Sequence, residues 1–153
     1  MSASKLIFTL LLATGRESVS TGEAITIFNT TRAHYSMAGI NIRMVRIVKI
    51  RDRYARYNNL EERDTKLWLY REVVNKRGYN RKNRTYVMLP PMFDASGYKW
   101  IGGFAEDTKC LPRGVAIGNA LAVRSNGSSG YDMSAIAMTH ELAHLCNARH
   151  EEG

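Results

Sequence analysis

Runs of alternating and continuous apolar residues divide the chain into eight segments. Lys5–Thr14 (KLIFTLLLAT) is apolar almost throughout, over a length that suits a strand buried on both faces. A short secretory signal is the other reading of that run, but its basic flank is thin and no small-residue cleavage site follows. Glu23–Ala38 reads as a helix with Ile27, Thr31, His34 and Met37 or Ala38 on similar faces, closed by Gly39. Asn41–Ile50 (NIRMVRIVKI) alternates apolar and basic residues, as a half-exposed strand does. A polar loop, Arg51–Leu60, leads to a second helix, Glu62–Lys76, with Leu67, Tyr70 and Val74 on one side and Gly78 near its end. Thr85–Leu89 is a short strand stopped by Pro90-Pro91. Trp100–Ala105, loosened by Gly102-Gly103, and Val115–Val123 are two further strands. The last segment, Tyr131–Cys146, is a helix with Ser128, Ser129 and Asp132 available to cap it. Met133, Ile136, Ala137, His140, Ala143 and His144 recur at helical spacing and define its expected core-facing stripe. The order strand, helix, strand, helix, strand, strand, strand, helix predicts an α/β fold. Its expected form is a mixed, mostly parallel five-stranded sheet with packed helices.

That last helix also carries chemistry. His140-Glu141-Leu142-Ala143-His144-Leu145-Cys146-Asn147-Ala148-Arg149-His150 reads H-E-x-x-H-x-x-N-x-x-H. Residues four apart on a helix stack on one face, so His140 and His144 can present two ring nitrogens to one Zn²⁺. From the next position, the carboxylate of Glu141 can reach a water at the metal without being a ligand. His150 comes far enough on for the chain to leave the helix and return as a third donor. Three imidazoles and an open position make a catalytic rather than a structural zinc site. Zinc would be the cofactor and Glu141 the general base of a hydrolysis.

The eleven-residue run resembles the metzincin zinc-protease consensus H-E-x-x-H-x-x-G-x-x-H, with Asn147 in place of the usual glycine. Asparagine is the next most tolerant residue for the left-handed conformation which that glycine adopts. Ile101-Gly102 followed by Cys110-Leu111-Pro112-Arg113 is similar to the reprolysin (adamalysin) branch. Tyr131 and Thr139–Leu145 resemble its small secreted arthropod members, including tick salivary enzymes. Reprolysins usually follow the third histidine with Asp, where this chain has Glu151. The resemblance implies a secreted metalloendopeptidase acting on protein or peptide substrates, and a chain folded as the family's upper subdomain. It also implies an antiparallel edge strand over the zinc cleft, making Ile101, Gly102, Gly103 and Phe104 candidate substrate-binding residues. The family has a lower subdomain with a methionine turn beyond the third histidine, and this chain stops at Gly153. Residues 1–153 are therefore expected to be a metzincin-like catalytic domain without its C-terminal subdomain.

The remaining features adjust this picture. At 44% hydrophobic and 24% charged residues the 153-residue chain is expected to be one globular domain. No apolar run is long enough to span a bilayer. Of the net charge of +8, the excess lies in residues 42–85, where 14 Lys and Arg meet 5 Asp and Glu. This stretch suggests contact with an anionic glycan, or simply a solvated face. No nucleic-acid motif accompanies it. The alternative to an enzyme is thus a non-catalytic or truncated zinc-binding secreted protein that acts through this basic surface. Cys110 and Cys146 would pair in a secreted protein, with each other or with partners outside the chain, and the resemblance implies a C-terminal-subdomain partner for Cys110. Cys146 should point away from the face of His140 and His144. Asn29, Asn83 and Asn126 begin glycosylation sequons.

Overall fold

A computed structural model describes residues 4–57, 59–93, 96, 99–100, 102–106, 113–120 and 129–145. Their elements, in chain order, are β1 (Ser4–Thr14), α1 (Thr21–Met37), β2 (Ile40–Arg51), two 3₁₀ turns (Ala55–Tyr57 and Leu60–Glu62) and α2 (Arg63–Arg77). There follow β3 (Arg84–Leu89), β4 (Met92–Phe93), β5 (Lys99–Trp100), β6 (Gly103–Ala105), β7 (Val115–Asn119) and α3 (Ser129–His144). Five strands form one sheet in the order β2-β1-β3-β7-β6, parallel except for β6. The fold is α/β with a mixed, mostly parallel sheet, as the hydrophobic pattern predicts.

The continuous apolar run of β1 follows from its place, flanked by β2 and β3 and covered on both faces. Leu6, Phe8, Leu10 and Leu12 pack with Ala24, Ile27, Phe28 and Tyr35 of α1 and Ala135, Met138, Leu142 and Leu145 of α3. Leu11 and Ala13 turn to the other face and meet Leu67, Tyr70 and Val74 of α2. Helices α1 and α3 therefore share one face of the sheet, and α2 covers the other. Outermost β2 buries residues unevenly along its length, with Val45 skipped in the register where Met44 and Arg46 face Phe8 and Thr9.

Local chemistry fixes the helices. Ser20 caps α1 through a capping box with Glu23, whose second carboxylate oxygen accepts a hydrogen bond from the Tyr131 hydroxyl at 2.7 Å. One glutamate thus ties the starts of α1 and α3. Helix α2 ends at Gly78, in the left-handed conformation (φ 73°) that glycine adopts without a Cβ penalty. Beneath α2, Asp52 is fully buried: Oδ2 accepts from Lys66 Nζ at 2.9 Å, and Oδ1 from the Tyr70 hydroxyl at 2.5 Å and the Tyr54 amide at 3.1 Å. Burial pushes the Lys66 amine below its ordinary range despite the attraction of Asp52, and pushes the Tyr70 phenol up.

Three expectations change. Met37 is 89% exposed and lies off the packed face of α1, which is formed by Ala24, Ile27, Phe28, Thr31 and Tyr35. The single strand expected over Trp100–Ala105 is two pieces. Lys99–Trp100 pairs with β4 in a separate two-stranded sheet, and Gly103–Ala105 is the antiparallel edge of the main sheet. The stripe expected to face the core in α3 faces outward: Met133 is 51% and Ile136 60% exposed, while Ser134, Ala135, Met138, Glu141, Leu142 and Leu145 are buried. Helix α3 has apolar residues on both sides, so periodicity alone could not choose between them.

Candidate metal centre

The tertiary anchors of α3 lie along α1. The Thr31 hydroxyl reaches the Ala135 carbonyl at 3.4 Å, and the Tyr35 hydroxyl donates to the Thr139 carbonyl at 2.6 Å. His34, outside the motif, has Nδ1 3.2 Å from the Thr139 hydroxyl oxygen, so it braces the residue before His140. These bonds hold the last two turns of α3, where His140 and His144 project from one face.

Their Nε2 atoms stand 3.2 Å apart, with ring planes at 87° and centroids 4.8 Å apart. Glu141 Oε1 lies 3.7 Å from His140 Nε2, and donor atoms of all three residues fall within 4.8 Å of one another. Two nitrogens at about 2.0–2.1 Å from a tetrahedral zinc would be about 3.4 Å apart, so the separation of the pair is close to that of two ligands on one ion. An N–H···N hydrogen bond would also suit 3.2 Å. The donor set, two imidazoles beside a carboxylate, is what a metal adds to that alternative. The His140 side chain is 51% exposed, so an ion there would meet solvent on its open side.

Glu141 differs from the histidines in burial. It is 5% exposed and faces the sheet. Burial pushes its carboxyl up to about 7, against a smaller downward pull from Arg63. Oε2 is buried and has no hydrogen-bond partner among the described residues. The same charge helps raise the buried Tyr86 phenol, after the larger effect of desolvation.

The edge strand lies against this carboxylate. Backbone bonds Asn119 N–H to Gly102 O (3.0 Å) and Glu106 N–H to Val115 O (3.1 Å) hold β6 to β7. Glu106 also accepts from the Val115 amide through Oε2 and pairs with Arg71 of α2. Phe104 packs on the α2 side and Ala105 on the α1/α3 side. Gly103 faces Glu141: a Cβ on it would lie 2.7 Å from Glu141 Cγ and 3.0 Å from Oε2. Glycines expected to admit a substrate thus include one that admits Glu141.

The structure brings together His140, Glu141, His144 and Gly103. His150, Cys110, Cys146, Ile101, Asn126 and Asn147 lie outside the described residues. Asn29 is exposed but sits within α1, and Asn83 is half-buried in the turn before β3. The contact of Gly103 with Glu141, and the brace from His34, escaped the sequence because both depend on pairings between distant segments.

No family model and no curated protein matches the chain. Among solved structures it is similar to metalloproteinase-II from Bacteroides fragilis, with a TM-score of 0.54 and 15% identity over 97% of this chain and 44% of that one. At that identity the likeness is one of fold, and the chain spans less than half the length of that enzyme. This chain has a metalloprotease-like fold, and the last turns of α3 carry a His–Glu–His group able to hold a metal ion.

Proposed function

We propose that the chain bears the catalytic residues of a zinc-dependent endopeptidase of the metzincin type, nearest in motif to the reprolysin branch. One observation carries the reading: two imidazole nitrogens 3.2 Å apart beside a buried carboxylate with elevated proton affinity, on a metalloprotease-like fold. His140, His144 and His150 would hold the ion. Zinc, when bound, supplies Lewis-acid activation of water and of the scissile carbonyl.

The chain's own residues do the rest. Glu141 takes a proton from the attacking water and returns it to the leaving amine. Burial raises the proton affinity of this carboxyl in the metal-free chain, and the positive charge of a bound ion would lower it again. Burial against the sheet confines its movement, and Oε1 stays on the side of His140. Gly103 and Phe104 lie in the outermost strand β6 and Gly102 just before it, where an extended peptide can add backbone hydrogen bonds, and Ile101 is assigned to the same role by its motif alone. The sequons and two cysteines support an extracellular setting.

The test is peptide cleavage with zinc and with a chelator, alongside metal analysis. Glu141→Gln should keep stoichiometric zinc and lose roughly 10²- to 10⁴-fold in kcat. A variant that keeps its rate ends the proposal.

One surface favours a second reading, binding of an anionic glycan. The Arg46 guanidinium stacks 5.7 Å over the Tyr79 ring, and that of Arg81 lies against Gly78 at the end of α2. Lys76, Arg77 and Lys82 are exposed nearby in sequence, and none of these five cations forms an ion pair among the described residues. Retention on heparin that weakens with salt and falls in Arg46→Ala/Arg81→Ala supports this reading; salt-independent behaviour removes it.

A further inference from the structure

We infer that Gly103 is a positioning residue for Glu141: the glycine pair Gly103–Gly118 opens a pit in the sheet, and the carboxyl is seated in it. The inference rests on the reading of Glu141 as the proton-carrying group and adds what holds that group in place.

The register sets Gly103 directly opposite Gly118 across β6 and β7. Glycine weakens a strand interior, and two facing glycines leave a gap two side chains wide. Two groups fill the gap from the α1/α3 side of the sheet. The Tyr86 phenol lies over Gly118, where any Cβ would collide with its hydroxyl. Glu141 lies over Gly103, where a Cβ would stand 2.7 Å from Cγ and 3.0 Å from Oε2. Oε2 has no hydrogen-bond partner among the described residues, and it lies where only a residue without a Cβ at position 103 leaves it room. A methyl group at Gly103 would push the carboxyl away from the sheet. It would also stand 2.5 Å from the Ile117 carbonyl oxygen, so the loss from the strand must be separated from the loss at Glu141.

A double-mutant cycle makes that separation. Melting temperatures of metal-free protein are measured for Gly103→Ala, Glu141→Ala and the pair. The drop caused by Gly103→Ala should shrink by at least half when Glu141 is already alanine. Gly118→Ala, which presses on Tyr86, should show a smaller dependence on Glu141. Additive effects at Gly103, or equal coupling at Gly103 and Gly118, overturn the inference. If Gly103→Ala alone does not fold, Gly103→Ala/Glu141→Ala must fold; failure of both shows that the Ile117 carbonyl alone demands the glycine, and overturns it. In zinc-loaded protein, Gly103→Ala should lower kcat at least tenfold and by a larger factor than it raises KM, with zinc content unchanged, and an unchanged kcat overturns the positioning role. A wild type that cleaves no peptide defeats the proposed activity, while the melting cycle still decides whether the seat exists.

Discussion

Glu141 costs the fold stability, and that cost is measurable. Its carboxyl titrates at about 7 when folded and 4.5 in the reference state, so the folded chain holds this proton more tightly. Stability from this group is complete below pH 4.5 and is lost as pH rises to about 7. At about 1.4 kcal/mol per pH unit, metal-free Glu141→Gln should gain about 3–4 kcal/mol on wild type across that window. Denaturant titrations at pH 4.5 and pH 8 check this, and equal differences at the two pH values refute it. The histidine prediction is separate: on the proposed zinc site, added zinc should raise the melting temperature of the wild type, and His144→Ala should remove that rise. That His140, Glu141 and His144 lie together was legible in the motif, because four-residue spacing on a helix is a geometric statement. Their opposite burial was not, because Met133 and Ile136 are as apolar as Ala135 and Met138, and only the docked helix distinguishes them.

Between elements, two polar devices set how the helices sit. Ser20 closes a capping box whose Glu23 also receives Tyr131. Ser20→Ala should cost about 1 kcal/mol, read by chemical denaturation. Asp52 is the larger device. Asp52→Ala would leave Lys66 buried with its carboxylate removed and the Tyr70 hydroxyl without its acceptor, and should cost about 3–5 kcal/mol. Replacing Asp52 and Lys66 together by apolar residues should cost less than Asp52→Ala alone, and a larger loss would refute the burial argument. Leu67, Tyr70 and Val74 were legible as the packed side of α2 from spacing. Lys66 beside them was not, since a lysine on a helix normally marks the wet face and its partner lies 14 residues upstream in a loop. The split of Trp100–Ala105 is of the same kind, because apolar content in a short segment does not say which strand it will pair with.

Across the whole molecule, the α/β class and the mostly parallel sheet followed from the alternation of apolar runs, since a strand apolar on both faces needs cover on both, whereas the order β2-β1-β3-β7-β6 rests on pairings between distant segments. Two buried phenols on opposite faces give the molecule a shared weakness. Tyr70 and Tyr86 are both pushed above 10, mainly by desolvation, so above pH 10 the unfolded chain sheds protons that the folded chain keeps. Stability should fall by about 1.4 kcal/mol per pH unit for each phenol. Lys66 opposes this only up to about 10.5, where its reference amine has also titrated. Unfolding followed from pH 10.5 to 12 should steepen accordingly, and Tyr70→Phe should remove about half the slope. The ties between α1 and α3 join residues 104 to 108 positions apart. The first βαβ unit is local by comparison. During synthesis it can collapse while His140 and His144 are still unmade. Capture of an ion by His140 and His144 would then come after framework assembly, and a newly made chain starved of zinc should still reach this topology.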